Sequence, residues 1–342
     1  MRTPIAILVS SLLMVLAAGM WAVNAIDRPI RIDAGHLVYD LSRGTTINSL
    51  ASDLSRREII ATPSLVFRLY ARLTRSEGRL KAGEYRLDPG MTSRSLLVMF
   101  RAGKVIQRQV TFVEGWTFAD WRRMLSAQQG LEQTIRDKTG AQVMALLGEP
   151  DVAPEGEFFP DTYHYTRGET DLSILERAHR RMVETLAREW HEGSDAVAFS
   201  SPYQALILAS IVEKETGYEP DRPKVARVFI NRLAKHMKLQ SDPTIIYGLK
   251  DFNGDLTRAD LKADTPYNTY TAFGLPPTPI CNPGLDAIHA TLNPDPGDFY
   301  YFVARGDGSS EFSRTLKEHN DAVARFQKAG RVEDYRSAPV GK

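Results

Sequence analysis

The chain has 342 residues, 43% of them apolar and a quarter charged, which is ordinary globular usage and enough for one large or two moderate domains. A formal net charge of +1 leaves no basic field of the kind that nucleic acid demands, so nucleic acid is excluded as the expected partner. The single cysteine, Cys281, excludes an internal disulfide and any cysteine-rich zinc site, and it leaves the redox compartment open.

After Met1 and Arg2, the segment from Thr3 to Ile26 carries no charged side chain, and about 20 such residues suffice to cross a bilayer as a helix. This predicts a membrane anchor over 1–27. Arg2 and the free amino group precede the segment and Asp27 with Arg28 follow it, so the positive-inside tendency places the N-terminus in the cytoplasm. The competing reading is a cleaved signal peptide, for which Val23-Asn24-Ala25 is a poor small-residue site and the apolar run is too long.

Next comes a short local pattern. Gly-x-Thr followed four residues later by a bulky apolar residue occurs as Gly44-Thr45-Thr46 with Leu50, Gly90-Met91-Thr92 with Leu96, and Gly115-Trp116-Thr117 with Trp121. Each reads as a helix start: Gly allows the tight turn, Thr caps the first amides, and the apolar residue begins the buried face. The preceding segments, 36–41 and 105–113, are β-prone. Strand-turn-helix units are therefore expected over roughly 30–130.

A region denser in signals begins near Pro154. Ser173 to Arg188 places Ile174, Leu175, Ala178, Met182 and Leu186 at helical spacing. A more apolar helix spans Tyr203 to Thr216 and ends at Gly217, and Pro223 to Met237 gives another, opened by its proline. Beyond Lys238 the chain turns to loops rich in Pro, Asn, Gly and Tyr, followed by a strand over Phe299 to Ala304. Loops on a helical scaffold are where sites tend to be built.

The stretch from Leu208 to Gly217, LASIVEKETG, ends an apolar run with two carboxylates. Glu213 continues the stripe of Leu206 and Ala209 at three- and four-residue spacing. Glu215 lies about 200° further round the helix, so the two cannot act as one same-face pair. A carboxylate beside apolar surface has a raised pKa and can donate a proton near neutrality, as a general acid on a glycosidic oxygen must. The alternative is that Glu213 pairs with a basic residue such as Arg227 on the next helix and is structural. Around this helix, Glu157 to Tyr163 (EFFPDTY, with Asp161 and Tyr163) and Tyr267 to Tyr270 (YNTY) combine aromatic faces with amide and carboxylate groups, which suits a carbohydrate groove, although each alone is also what a packed turn looks like. His-Glu-x-x-His, Gly-x-Ser-x-Gly, P-loop and Gly-x-Gly-x-x-Gly motifs are absent, and the seven histidines lack metal-ligand spacing, so no metal is expected. His319 in Glu318-His319-Asn320 is the best candidate for a catalytic histidine, against a role in capping or orienting a loop.

Taken in order, EFFPDTY (157–163), LASIVEKET (208–216), LQSDPT (239–244) with Tyr247-Gly248, YNTY (267–270), GLPPTPI (274–280), Asn282-Pro283-Gly284 and Glu318-His319-Asn320 closely resemble the YceG-like (MltG) family of endolytic murein transglycosylases, over nearly the whole chain. The resemblance implies an α+β protein: a transmembrane helix (1–27), a LysM-like α/β region (28–152) and a mixed α+β catalytic domain (153–342) with a lysozyme-like glutamate helix. It implies a single-pass protein of the bacterial inner membrane, its catalytic part periplasmic, that cuts MurNAc–GlcNAc bonds inside the glycan strands of peptidoglycan. Penicillin-binding peptidoglycan synthases are the implied protein partners, and no cofactor is implied.

Carried over by motif, the catalytic glutamate falls on Glu213. One acid protonates the glycosidic oxygen and then, as base, assists the MurNAc 6-hydroxyl onto the anomeric carbon, leaving a 1,6-anhydroMurNAc end. The substrate supplies the nucleophile, which is why one glutamate suffices where a hydrolase usually needs two carboxylates. Gln240, Asp242, Asn268 and Tyr270 are then expected to position substrate, and Glu215 reads as a supporting or surface residue. Two alternatives stand beside this: a hydrolytic muramidase in which Asp242 or Glu157 activates water, and a non-catalytic, membrane-anchored glycan-binding scaffold for cell-wall synthases.

Overall fold

The computed structural model of the chain describes residues 2–32, 35–193, 199–249, 252 and 254–329. It opens on helix α1 (Arg2–Ile26), within which Ile7–Ile26 is long and apolar enough to cross a membrane. The rest is mixed α+β and divides into two compact units, one built from the chain up to 108 together with 164–169, the other from 109–163 and from 170 onward. The units part at Arg108, so the LysM-like region anticipated over 28–152 runs across both.

In the first unit, β1 (Leu37–Leu41), α2 (Ile47–Arg56), α3 (Ser64–Leu73), β2 (Gly83–Leu87) and α4 (Ser93–Ala102) follow in order. β1 and β2 pair antiparallel with Tyr39 opposite Tyr85. Strand alternation sends Tyr39, Leu41, Tyr85 and Leu87 to one face, where they meet Leu50, Leu54, Phe67, Leu96 and Phe100 in one buried cluster. The end of α1 belongs to the same core, since Ile26 packs into it and Ala25 is fully buried. Cutting the chain after Ile26 would therefore remove core as well as the apolar span.

All three Gly-x-Thr sites start helices as expected. Gly44, Gly90 and Gly115 adopt φ of 78°, 83° and 77°, a left-handed conformation that a side chain would strain. Thr46, Thr92 and Thr117 are N-caps closed by reciprocal capping boxes with Ser49, Ser95 and Asp120. Leu50, Leu96 and Trp121 are each wholly buried. The Thr92 hydroxyl accepts from the Ser95 amide at 3.2 Å and the Thr92 amide donates to the Ser95 hydroxyl at 2.8 Å. Thr92→Ala removes the first of these bonds and should lower unfolding stability by about 1 kcal/mol, read as a shift in the urea midpoint of the full chain.

The second unit is mainly helical. α5 (Phe118–Ser126), α6 (Gly140–Leu146), α7 (Asp171–Gly193), α8 (Pro202–Glu215), α9 (Arg222–Ala234), α10 (Asp242–Gly248), α11 (Leu285–Leu292) and α12 (Leu316–Val323) are joined by loops and by the hairpin of β5 (Tyr301–Ala304) with β6 (Ser310–Ser313). β3 (Arg108–Thr111) and β4 (Thr162–Tyr165) pair as a separate ribbon, within which the chain passes from one unit to the other. α7 contains the expected amphipathic stripe, with Ile174, Leu175, Ala178 and Met182 buried. The helix anticipated over 223–237 stops at Ala234, and His236 turns the chain with φ of 52°. The β-prone stretches 105–113 and 299–304 pair only over 108–111 and 301–304.

Candidate active site

α8 is the axis of the second unit, with α7, α9 and α11 packed on it. Ser201 caps its first turn by accepting from the Gln204 amide, and Pro202 opens it. Every residue from Ala205 to Val212 is buried, the signature of a helix apolar all round and placed at a core. The one polar member, Ser210, donates its hydroxyl to the Ile207 carbonyl and accepts from the Ile280 amide at 3.0 Å, which lays the 280–284 segment along the helix. Glu213 and Glu215 occupy the last turn, where unpaired carbonyls and the negative end of the helix dipole oppose ionisation.

The two carboxylates leave that turn into different surroundings. The Glu213 side chain is 7% exposed. Its Oε2 accepts from the Gly284 amide at 3.0 Å, and its Oε1 lies 3.6 Å from the Arg222 guanidinium. Burial raises its pKa above the usual range. Arg222 also reaches Asp286 at 3.1 Å. The basic neighbour proposed from sequence, Arg227, instead donates to the carbonyls of Asp295 and Pro294, at 2.6 and 3.3 Å. Arg222, in the first turn of α9, takes its place.

Glu215 opens on a cleft of about 340 Å³ lined by Arg232, Gln240, Asp242, Tyr270, Tyr301 and His319 together with apolar side chains. Its Oε1 accepts from the Ser241 hydroxyl, which leaves the other oxygen to carry a proton. Burial pushes its pKa up to about 7, with the Asp242 charge adding to the effect and Ser241 and Arg232 opposing it. Arg232 is fixed by donating to the carbonyls of Tyr300 and Leu239, at 2.7 and 2.6 Å, with its guanidinium 5.3 Å from the centre of the Tyr301 ring. Tyr270 donates its hydroxyl to Asp242 at 2.7 Å. Gln240 sits at the lip with φ of 52°, a conformation rare for a residue with a side chain and found preferentially where a site holds it. His319 stacks on Tyr301, ring centres 5.3 Å apart, and burial, with the Arg232 charge beside it, lowers its pKa.

Of the residues singled out in sequence, Gln240, Asp242, Tyr270 and His319 thus gather around Glu215, not around Glu213. Asn268 is fully buried and its amide is spent on its own loop. It donates to the carbonyls of Asp260, Leu261 and Ala263 and accepts from the Tyr270 amide, so it shapes the loop that presents Tyr270. Asp161 forms an ion pair with Arg181. Tyr163 is buried and donates to the Phe159 carbonyl at 2.6 Å. Neither lines the Glu215 cleft, and neither does Glu157, which is buried beside His179. Arg232, Tyr301 and Ser241 join the site without a sequence signal of their own: Ser241 falls within LQSDPT, but nothing in the spacing distinguishes Arg232 from the other cations of its helix.

Glu155, Glu157 and Glu215 share a pKa raised by burial from 4.5 to about 7. The folded chain therefore binds more protons than the unfolded one between those values. Stability is greatest below about pH 4.5 as far as these groups are concerned, falls as pH rises to about 7, and levels off above. Melting of the full chain in detergent should accordingly occur at higher temperature near pH 5 than near pH 8, the reverse of what salt-bridged carboxylates produce.

The molecule is thus a mixed α+β protein behind one apolar helix, with a buried acid of raised pKa set in a polar and aromatic cleft at the end of its core helix. The YceG-like family matches residues 39–325, and the chain belongs to that family. The endolytic murein transglycosylase of Bacillus subtilis is 31% identical over 330 residues, which cover 87% of this chain and 87% of that protein. The endolytic murein transglycosylase of Streptococcus pneumoniae is 27% identical over 336 residues, covering 87% of this chain and 60% of the pneumococcal protein. A YceG-like protein from Listeria monocytogenes, solved by crystallography, superposes with a TM-score of 0.54 at 29% identity, over 84% of this chain and 98% of that one.

Proposed function

We propose that this chain is an endolytic murein transglycosylase, tethered by α1 to the inner membrane with its N-terminus cytoplasmic, that cuts MurNAc–GlcNAc bonds within peptidoglycan and leaves 1,6-anhydroMurNAc ends. The observation that carries the reading is the cleft in which a glutamate with pKa about 7 meets Gln240, Asp242 and Tyr270. On this geometry Glu215, rather than Glu213, is the acid. A carboxyl group whose pKa burial raises towards neutrality delivers its proton to the glycosidic oxygen and, as carboxylate, takes the proton of the MurNAc 6-hydroxyl while that oxygen closes on the anomeric carbon. Asp242 and Tyr270, hydrogen-bonded to each other, hold the sugar or the developing positive charge. Glu213 acts as a positioning residue that ties the end of α8 to the 282–284 turn through Gly284. The first unit carries the LysM-like, glycan-holding role, and peptidoglycan synthases are the partner class.

A second reading has one observation in its favour. Asp242 lines the same cleft as Glu215, so a hydrolase with Asp242 activating water has its two carboxylates in one place. Mass spectrometry of sacculi digested by the full chain in detergent separates the two. Anhydro ends are the expected products, reducing ends would replace the transglycosylase with a muramidase, and intact sacculi that retain bound protein would make the chain a scaffold.

A further inference from the structure

α3 has two apolar faces. Phe67 and Ala71 are wholly buried in the core of the first unit. On the opposite side Leu65, Leu69 and Leu73 stand four residues apart in one stripe and are 61%, 50% and 82% exposed, with Arg68 and Arg72 along its flank. Three adjoining exposed leucines on one short helix mark an interaction surface.

What lies against that stripe follows from how α1 leaves the unit. α1 packs on α3, with Ala25 and Ile26 buried at the contact. The Thr62 hydroxyl donates to the Ala25 carbonyl at 2.7 Å. Arg94 holds Asp27 with two bonds of 2.6 and 2.7 Å and reaches the Tyr70 hydroxyl at 3.0 Å. The exit is therefore fixed on both sides: Thr62, just before α3, is bonded to residue 25, and Tyr70 of α3 is linked through Arg94 to Asp27. The apolar span Ile7–Ile26 is 20 residues, and at a rise of about 1.5 Å each it is only just long enough to cross a hydrocarbon core of about 30 Å. With α1 as an anchor, the boundary of the bilayer falls near Ala25–Asp27, the end of α1 that α3 contacts.

We propose that α3 is a membrane-docking helix: Leu65, Leu69 and Leu73 enter the outer boundary of the bilayer that α1 crosses, with Arg68 and Arg72 on anionic head groups. This rests on the reading of α1 as an anchor. An amphipathic face beside a spanning helix gains apolar burial and head-group attraction together, and Arg28 and Arg31, just past the span, add to the positive charge there. Docking by α3 limits the swing of the unit about its tether and keeps it flat on the membrane.

The test uses the full chain in vesicles of phosphatidylcholine with phosphatidylglycerol, carrying an environment-sensitive fluorophore at Leu69→Cys, Leu73→Cys or, as control, Val38→Cys. Val38 is exposed on β1, whose alternate residues Tyr39 and Leu41 face the core, so it looks away from the helices. The buried Cys281 is left in place, and the unsubstituted chain gives the background. Lipids spin-labelled near the head group should quench positions 69 and 73 strongly and position 38 little, and quenching should weaken when phosphatidylglycerol is omitted. Equal quenching at 69 and 38, in vesicles that still float with the protein after an alkaline wash, would overturn docking while leaving the anchor intact. Loss of the protein in that wash would overturn both. Emission at 69 that shifts with protein density and ignores the lipid quencher would assign the stripe to a second copy of the chain and overturn the membrane assignment.

Discussion

Glu215→Gln should lower the release of anhydro-ended fragments by roughly 10²- to 10⁴-fold, the usual cost of removing a general acid, with little change in binding to sacculi. The amide is nearly isosteric and its oxygen still accepts from Ser241, so the cleft keeps its shape while the transferable proton is lost. On the proposed mechanism Glu213→Gln should have a much smaller effect, because its oxygen still accepts from Gly284 and Glu213 only positions the turn. Comparing the two variants on identical sacculi decides between the glutamates: activity lost with Glu213→Gln and kept with Glu215→Gln would return the acid to the position the family motif suggested. If Glu215 is the acid, as proposed, kcat/KM of the unsubstituted protein should fall as pH rises past about 7, because the proton to be transferred is then lost.

The largest expected loss of stability comes from Asn282, which is fully buried between three segments. Its side-chain carbonyl accepts from the Phe158 amide at 2.9 Å and its amide donates to the Trp116 carbonyl at 3.0 Å. Its backbone pairs with Trp116 and Gly115 as well. Asn282→Ala strands the buried Phe158 amide, worth about 1–3 kcal/mol when left without a partner, and takes one of two donors from the Trp116 carbonyl, which keeps the backbone amide of residue 282, in addition to opening a cavity. A stability loss of roughly 1–4 kcal/mol is expected by urea unfolding of the full chain. Because the 280–284 segment lies along α8, activity should fall with it even under conditions where the variant stays folded.

The sequence by itself determined the elements that depend on neighbours along the chain. Charge-free residues from Thr3 to Ile26 specify a long apolar helix, Gly-x-Thr specifies three helix starts through left-handed glycines and threonine caps, and an unbroken apolar run makes α8 a core helix. Helical geometry also required Glu213 and Glu215 to point in different directions. Which direction opens on the cleft was decided only by tertiary structure. Loops some 25 to 100 residues away bring Ser241, Asp242, Tyr270 and His319 to the side of Glu215, while the turn at Gly284 and the guanidinium of Arg222 close over Glu213. The same distinction separates Asn268 from its neighbour Tyr270: both sit in one polar motif, but the first spends its amide on the loop and the second reaches the cleft. Composition and spacing register that a carboxylate, an amide or a guanidinium is present, whereas whether it faces solvent, core or cleft depends on which distant backbone folds against it.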